Sequence, residues 1–353
     1  MHPKTITPAD IASAMQMTES EVWAFARNMD ASFKPTRLQL VGKKERPIDA
    51  PYDAPKKKLK RLHRWFQERK LFHPAAHGSI SGSSCFTSAR RHLGKKFVWT
   101  RDATNCYPSV RPSVFKAELK RLGFRHDTAS LMTLLCTLRG KIPQGSPTSG
   151  DALNLFFARA DQHAASFAGA NRLSHTRVAD DFVVSGNSKA SGDKVVRIIE
   201  EEVAARGINI NDKKRRESGF QPRSKPQLVH SIRVDNRRGT QISGDHHKIA
   251  IEVAASYVAS CRGLQPQSLG ATAAKRLRLH GYLHYFRQAK FSAAKHLRQQ
   301  LNLGDRIVAR KLNSLRISAD KNKWWVVNRK RNEPKRITRI WESRLRSTAP
   351  TAD

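Results

Sequence analysis

The run Arg177-Val178-Ala179-Asp180-Asp181-Phe182-Val183-Val184-Ser185 sets two adjacent carboxylates in an apolar, β-forming stretch, in a chain carrying 66 Lys and Arg against 29 Asp and Glu. Acids are scarce in this chain, so a pair of them here calls for a positive partner. An earlier run, Phe97-Val98-Trp99-Thr100-Arg101-Asp102, has the same character and ends on another acid. Val, Phe, Trp and Thr suit a half-buried pleated surface and the apolar residues recur at period two, so both runs read as strands. Asp180-Asp181 then falls at the tip of a β-hairpin, with Asp102 at the end of the strand beside it. Three carboxylates brought together raise one another's pKa unless a cation neutralises them. Hard oxygen ligands at a small, incomplete site favour Mg²⁺, which keeps waters and takes further ligands from substrate phosphates. Two such ions, roughly 3.5–4 Å apart, serve in-line phosphoryl transfer. A plain polar turn, which Asp also tolerates, is the other reading of the dipeptide.

A formal net charge of +37 demands an anionic partner, nucleic acid first and an anionic membrane surface second. The sequence shows no long apolar span and no signal-peptide pattern, so no membrane-spanning or secreted form is expected and the cytoplasm is the expected location. With 353 residues the chain is long enough for one large body and a smaller appendage. Cys85, Cys106, Cys136 and Cys261 lack the paired spacing of zinc sites and read as reduced packing residues. His246-His247, without partner ligands, reads as surface.

In chain order, Thr7-Pro8 and Thr18-Glu19-Ser20-Glu21 open two short helices, for packing or for contact with nucleic acid. Residues 38–41 read as a strand, and Arg46-Pro47-Ile48 as an extended segment, because proline disfavours helix in its predecessor. Lys56 to Phe72 has Leu59, Leu62, Trp65 and Phe66 at helical spacing, surrounded by Lys57, Lys60, Arg61 and Arg64. Such a basic face lies along phosphates or is simply solvated. A loop of small residues, 76–84, leads to Ser88-Ala89-Arg90-Arg91-His92. Tyr107, just past Asp102, is either a buried aromatic or a flat wall under an incoming sugar. Residues 143–150 are rich in Pro, Gln, Gly and Ser, able to form a rigid loop with exposed backbone N–H groups. Asp151 to Ala165 reads as one buried helix, residues 208–210 as a strand before a basic cluster at 213–216, and Leu228 to Val234 as another strand. The order of strands and helices indicates an α+β layered fold. Beyond Lys248 the chain is helical and basic. Tyr282, Tyr285 and Phe286 lie among Lys275, Arg278 and Arg287, and Trp324-Trp325 among further basic residues. This interleaving suits stacking on unpaired bases, or core packing of the same rings.

Taken together, residues 38–286 resemble the bacterial reverse transcriptases, and among them the retron type. Pro143-Gln144-Gly145-Ser146-Pro147-Thr148-Ser149 with Asn154 is similar to the template and nucleotide grip, Asp102 with Tyr107-Pro108-Ser109 to the first palm acid and its sugar gate, and Ala179-Asp180-Asp181 to the metal hairpin. The segment from Ser88 to His92 resembles a retron insertion that usually begins with Asn. Val229-His230-Ser231 stands where Val-Thr-Gly is expected, and Val178 where most relatives have Tyr. The resemblance implies a right-hand polymerase, with an N-terminal helical segment (1–38), fingers and palm (39–240), and a basic, mainly helical thumb (241–353). It implies catalysis by Asp102, Asp180 and Asp181, two Mg²⁺ ions held by these acids with Ala103, and nucleotide or template contacts from Arg46, Tyr107, Gln144, Gly145, Ser146, Pro147 and Lys214. It implies RNA contacts from Lys57, Lys60, Arg61, Arg64, Arg90, His92, Lys275, Arg278 and Arg287. A dedicated structured non-coding RNA would serve as template and 2′-OH primer for a branched DNA product made from dNTPs, in antiphage defence with a separate effector protein. Another bacterial reverse transcriptase, from a non-retron defence system or akin to group II intron enzymes, and an inactive RNA-binding scaffold are the rival expectations.

Overall fold

A computed structural model describes residues 3–41, 44–236, 239–242, 244–265, 268–288 and 293–314. The basic cluster around Trp324-Trp325 lies outside the described residues. The chain divides into two compact units, Met1–Thr240 and Gln241–Asp353.

The first unit opens on α1 (Pro8–Met15) and α2 (Glu19–Arg27), each begun by a Thr in a reciprocal capping box, as the sequence indicates. Ile11, Met15, Val22 and Ala26 enter one core with Leu59, Leu62 and Phe66 of α3 (Asp53–Arg69). Between them β1 (Arg37–Val41) and β2 (Lys44–Ile48) form an antiparallel hairpin, on which Leu38 and Leu40 are exposed. Then come α4 (Cys85–Arg90), β3 (Phe97–Asp102), α5 (Cys106–Ser109), α6 (Pro112–Arg121) and α7 (His126–Cys136). The helix expected from Asp151 to Ala165 is in fact two, α8 (Ser149–Phe156) and α9 (Ala158–Ala170), broken at Phe157. The break lets two successive rings, Phe156 and Phe157, enter the core together with centroids 5.0 Å apart. A continuous helix would splay neighbouring side chains by about 100°.

There follow β4 (Ser174–Val178), β5 (Asp181–Gly186), α10 (Lys189–Ala205), α11 (Asp212–Ser218) and β6 (Phe220–Pro222). The four-stranded sheet runs β4-β5-β3-β6, antiparallel throughout. Its pleat separates two chemistries. Arg177, Phe182, Val184 and Trp99 face α9 and α10, where the Trp99 indole covers Gly192 and donates to Asp193 at 3.0 Å. Thr176, Val183 and Ser185 face the other way, toward α4. The expected strand over Leu228 to Val234 is a small hairpin, β7 (Leu228–Val229) and β8 (Ile232–Arg233), because His230 and Ser231 both take positive φ and turn the chain back. Ile210 makes a bridge to Ala103 rather than belonging to a strand.

The second unit holds α12 (Gly244–Arg262), α13 (Leu269–Gln288) and α14 (Ala293–Ser314). A buried knot ties them: Asp305 accepts from Tyr257 Oη at 2.5 Å and from Arg276 at 2.8 and 2.7 Å. His246 and His247 are not simple surface residues, since their rings pack on Tyr285 and Phe286 and are partly covered. Among the described residues no helix is long and apolar enough to cross a membrane.

Beneath the β4-β5 hairpin lies a fully buried ion pair. Arg177 donates to Asp161 from Nε at 3.1 Å and from Nη2 at 2.7 Å, and its guanidinium stacks over Phe157 and Phe182. Burial pushes the Asp161 carboxyl up, but Arg177 and His175 outweigh it and hold the group at about 2. Asp161→Asn leaves a buried guanidinium without its counter-charge and is expected to cost about 3–5 kcal/mol of stability. The depressed pKa makes this contribution complete above the ordinary value of 3.8 and lost as pH falls toward 2. Denaturant unfolding from pH 5 to pH 2 is expected to show a flatter acid limb for Asp161→Asn than for the unaltered chain.

Candidate active site

The acids are set by the register of three strands. Asp181 of β5 lies opposite Asp102 of β3 on one side and Val178 of β4 on the other, leaving Ala179 and Asp180 as a two-residue turn. Ala179 has φ 53°, and its carbonyl accepts from Arg177 Nη1 at 2.9 Å. The Ala103 N–H donates to the Asp180 carbonyl at 2.9 Å, tying the end of β3 to the same turn. From behind, residues 75–77 run alongside β4: the Arg177 N–H donates to Ala75 O and the His77 N–H to Arg177 O, each at 2.7 Å. Gly78 then meets the turn so closely that a Cβ would stand 2.7 Å from the Ala179 nitrogen. Asn154 fastens this layer, donating to Gly78 O at 2.8 Å and accepting from Arg177 Nη1 at 3.2 Å.

Part of the positive partner that the sequence demanded is Lys214 on α11. Its Nζ donates to Asp102 Oδ1 at 2.5 Å, while Asn211 Nδ2 donates to Oδ2 at 3.1 Å. Burial lowers the Lys214 pKa, but the bond to Asp102 and the fields of Asp181, Asp102 and Asp180 outweigh it and raise it. Asp180 is raised by burial first, then by Asp181 and Asp102. These are hard oxygen donors on adjacent strand ends, with one carboxyl strained by its neighbours, and that chemistry fits a divalent cation. Among the described residues no three acidic, His or Cys side chains converge as a complete metal-binding group. Ala103 offers only its backbone carbonyl.

Arg46, Tyr107, Gln144, Gly145, Ser146 and Pro147 line one groove of ≈ 770 Å³. The loop carrying Gln144 is clipped to the end of β2, since the Asp49 N–H donates to Gln144 O at 2.6 Å. Gly145, at φ 120°, sits where a Cβ would come within 2.8 Å of Asp49 O. Burial, then the charge of Asp180, push the Tyr107 hydroxyl up to about 12, so it stays neutral. A second groove of ≈ 830 Å³ shares His63, Gln67, Ile80, Ser81 and Ser83 with the first and adds Lys60 and Arg64, so the two form one basic trough along α3.

Of the RNA contacts expected from sequence, Lys57, Lys60, Arg64 and Arg90 are exposed. Arg61 is half-buried and donates to Met15 O at 3.2 Å. In the second unit Arg278 and Arg287 are exposed, while Lys275 donates to Ser260 Oγ at 2.6 Å. His92 is a correction: its side chain is wholly buried against β4 and β5, bonded to Ser185 and Thr176 at 2.7 Å, and touches no surface that RNA could reach.

Sequence reading missed the residues that brace the trough. His63 Nδ1 lies 2.7 Å from Asp151 Oδ2, and Gln67 donates to Asp151 Oδ1 at 2.7 Å and to Ser79 O at 3.0 Å while accepting from the Ser81 N–H at 2.9 Å. Their i, i+4 spacing on α3, off its apolar stripe, was the available signal. Arg177, Asp161 and His230 had none, because their partners are distant in sequence.

The family described as reverse transcriptase (RNA-dependent DNA polymerase) matches residues 41–225, more than half the chain, and the chain belongs to it. It is 28% identical over 196 residues to the retron Se72 reverse transcriptase of Salmonella heidelberg (strain 579083-10), covering 53% of this chain and 51% of that protein. It is 29% identical over 179 residues to the retron Ec86 reverse transcriptase of Escherichia coli, covering 50% and 55%. The chain thus matches about half the length of these relatives. Among solved structures, apo telomerase from Candida Tropicalis is similar at a TM-score of 0.46 and 10% identity, covering 85% of this chain and 63% of that one.

His63 is raised by its bond to Asp151, whereas Asp151 is itself raised by burial despite that bond. Asp151→Asn is therefore expected to lower the His63 titration midpoint in an NMR pH series. While Asp151 is ionised, the contribution of His63 to stability is full below its ordinary value of 6.5 and is lost as pH rises through the folded midpoint.

Proposed function

We propose that this chain is a retron-type RNA-directed DNA polymerase. The carrying observation is the juxtaposition of Asp102, Asp180 and Asp181 on neighbouring strand ends, in a chain whose Arg46, Tyr107 and Gln144 line a single groove. Reverse transcriptases depend in general on divalent metals, and Asp102 and Asp180, with the Ala103 carbonyl and the more peripheral Asp181, would hold two Mg²⁺ ions. When bound, these supply Lewis acidity to the primer hydroxyl and charge neutralisation to the leaving pyrophosphate. Lys214 offsets acid charge at Asp102 and remains close to where phosphates arrive. Arg46 neutralises triphosphate charge, Gln144-Gly145 position the nucleotide, and the Tyr107 ring excludes a ribose 2′-OH. The trough along α3, with Lys57, Lys60, Arg64 and Arg90, takes the template backbone, and Arg278 and Arg287 hold an RNA stem.

Similarity to retron enzymes supports a dedicated structured RNA as template and 2′-OH primer, dNTPs as substrates, a branched RNA-linked DNA as product, and antiphage defence in the cytoplasm with a separate effector. The departures at Ser88 and His230 favour a second reading, a non-retron bacterial reverse transcriptase with another primer. Expression with the native flanking DNA separates the two. A discrete co-purified DNA that shifts on RNase and debranching treatment is expected for the retron, and RNA alone with activity on an added primer for the alternative. Asp180→Asn is expected to abolish DNA synthesis while leaving RNA affinity within about twofold in a filter-binding assay, and retained synthesis would remove the metal assignment.

A further inference from the structure

Ser88 and His230 are two positions at which the chain leaves the retron pattern, and they touch: Ser88 Oγ lies 3.0 Å from His230 Nε2. A shorter side chain at 88 and a longer one at 230 amount to one exchange of volume. Both belong to a polar layer between α4 and the β4-β5 hairpin. There Ser88 Oγ is 2.7 Å from Thr176 Oγ1, which is 2.7 Å from His92 Nε2, while His92 Nδ1 is 2.7 Å from Ser185 Oγ. At its other end His230 Nδ1 stands 3.5 Å from Asp181 Oδ2, within electrostatic reach of the carboxylate and longer than an ordinary hydrogen bond.

Two proton arrangements satisfy the short bonds of this layer, and the one that turns His230 Nδ1–H rather than a lone pair toward the Asp181 carboxylate avoids electrostatic repulsion. A neutral imidazole offers one donor and one acceptor, a hydroxyl one proton, and a carboxylate none. Burial, then His175 and His230, push the His92 pKa well below its ordinary value, so His92 is neutral. With Nδ1–H turned toward Asp181, His230 Nε2 accepts from Ser88, Ser88 from Thr176, Thr176 from His92 Nε2–H, and His92 Nδ1 from Ser185. In this arrangement both tautomers are set and every polar atom of the layer has a partner. The backbone carries the cost: His230 and Ser231 sit at φ 51° and 65°, a left-handed pair that a non-glycine residue resists. Such strain persists where the surroundings over-determine it. Here it directs the imidazole inward beneath the acid hairpin.

We propose that His230 is a positioning residue for Asp181, its Nδ1–H held toward the carboxylate by a one-way chain of hydrogen bonds running from Ser185 through His92, Thr176 and Ser88. The catalytic consequence rests on the polymerase reading of the Asp102, Asp180 and Asp181 site, whereas the tautomer does not.

Two measurements on the full chain test it. Long-range ¹H–¹⁵N spectra of the metal-free protein are expected to show His230 protonated at Nδ1, with that resonance shifted by Asp181→Asn. An Nε2–H tautomer, or no response to Asp181→Asn, overturns the proposal. In steady-state nucleotide incorporation on primed RNA, His230→Ala is expected to lower kcat about 10-fold or more with the dNTP KM unchanged. His230→Asn, whose amide can donate from a left-handed backbone, is expected to restore most of it, and adding Ser88→Ala to His230→Ala to cost nothing further. Unchanged kcat in a His230→Ala protein with a retained melting temperature overturns the proposal, as does a defect confined to KM. If His230→Ala fails to fold, His230→Asn and the spectra decide. A wild-type chain without synthesis removes the polymerase reading, and the spectra then decide the tautomer alone.

Discussion

One buried cation, Arg177, organises the centre of the first unit. Arg177 points from β4 into the helix-facing side of the sheet, where Asp161, Asn154 and the rings of Phe157 and Phe182 surround it. Burying an ion pair yields little net stability by itself. Its value lies in geometry, because the same guanidinium reaches the Ala179 carbonyl and so holds the hairpin turn in its left-handed shape. The carboxylates of Asp180 and Asp181 are aimed by a charge that never meets solvent.

The sheet works because its pleat keeps two environments apart. On the helix side Trp99, Phe182 and Val184 supply apolar burial around Arg177. On the α4 side Thr176 and Ser185 turn hydroxyls toward Ser88 and His92, with Val183 between them. Shifting β5 by one residue would exchange these faces, burying Phe182 against hydroxyls and Ser185 against rings. Register, polar pairing and the position of Asp181 opposite Asp102 are therefore one constraint.

Much of this was legible in sequence because it is local. Period two marks β3 and the acid hairpin in which β4 meets β5, and a cap at Thr7 and a capping box at Thr18 mark α1 and α2. The Pro-Gln-Gly-Ser composition of residues 143–149 gave a rigid loop, and the scarcity of acids singled out Asp102, Asp180 and Asp181. The misses were non-local. His92 looked like a basic-cluster residue until α4 was seen to lay it inside the sheet. The helix break at Phe157 depends on where two rings go, not on any breaker residue. His230-Ser231 reads as strand because the apolar residues around it alternate, and the turn is held by the pairing of β7 with β8 and by the contacts of His230 with Ser88 and Asp181.

The route by which the acids meet bears on how the chain matures. The contacts that complete the site join residues far apart: 76 positions separate Asn154 from Gly78, 112 separate Lys214 from Asp102, and 142 separate His230 from Ser88. Closing such separations costs entropy that grows slowly with length, but it slows folding markedly. Synthesis from the N-terminus delivers α1, α2 and α3 long before β5 or α11 emerges, so their shared apolar core can consolidate first. The carboxylates stay dispersed on the ribosome-bound chain. Asp102 and Asp181 come opposite one another only once β5 has docked on β3, and Lys214 joins them only with α11, so the acid cluster is among the last features of the first unit to assemble.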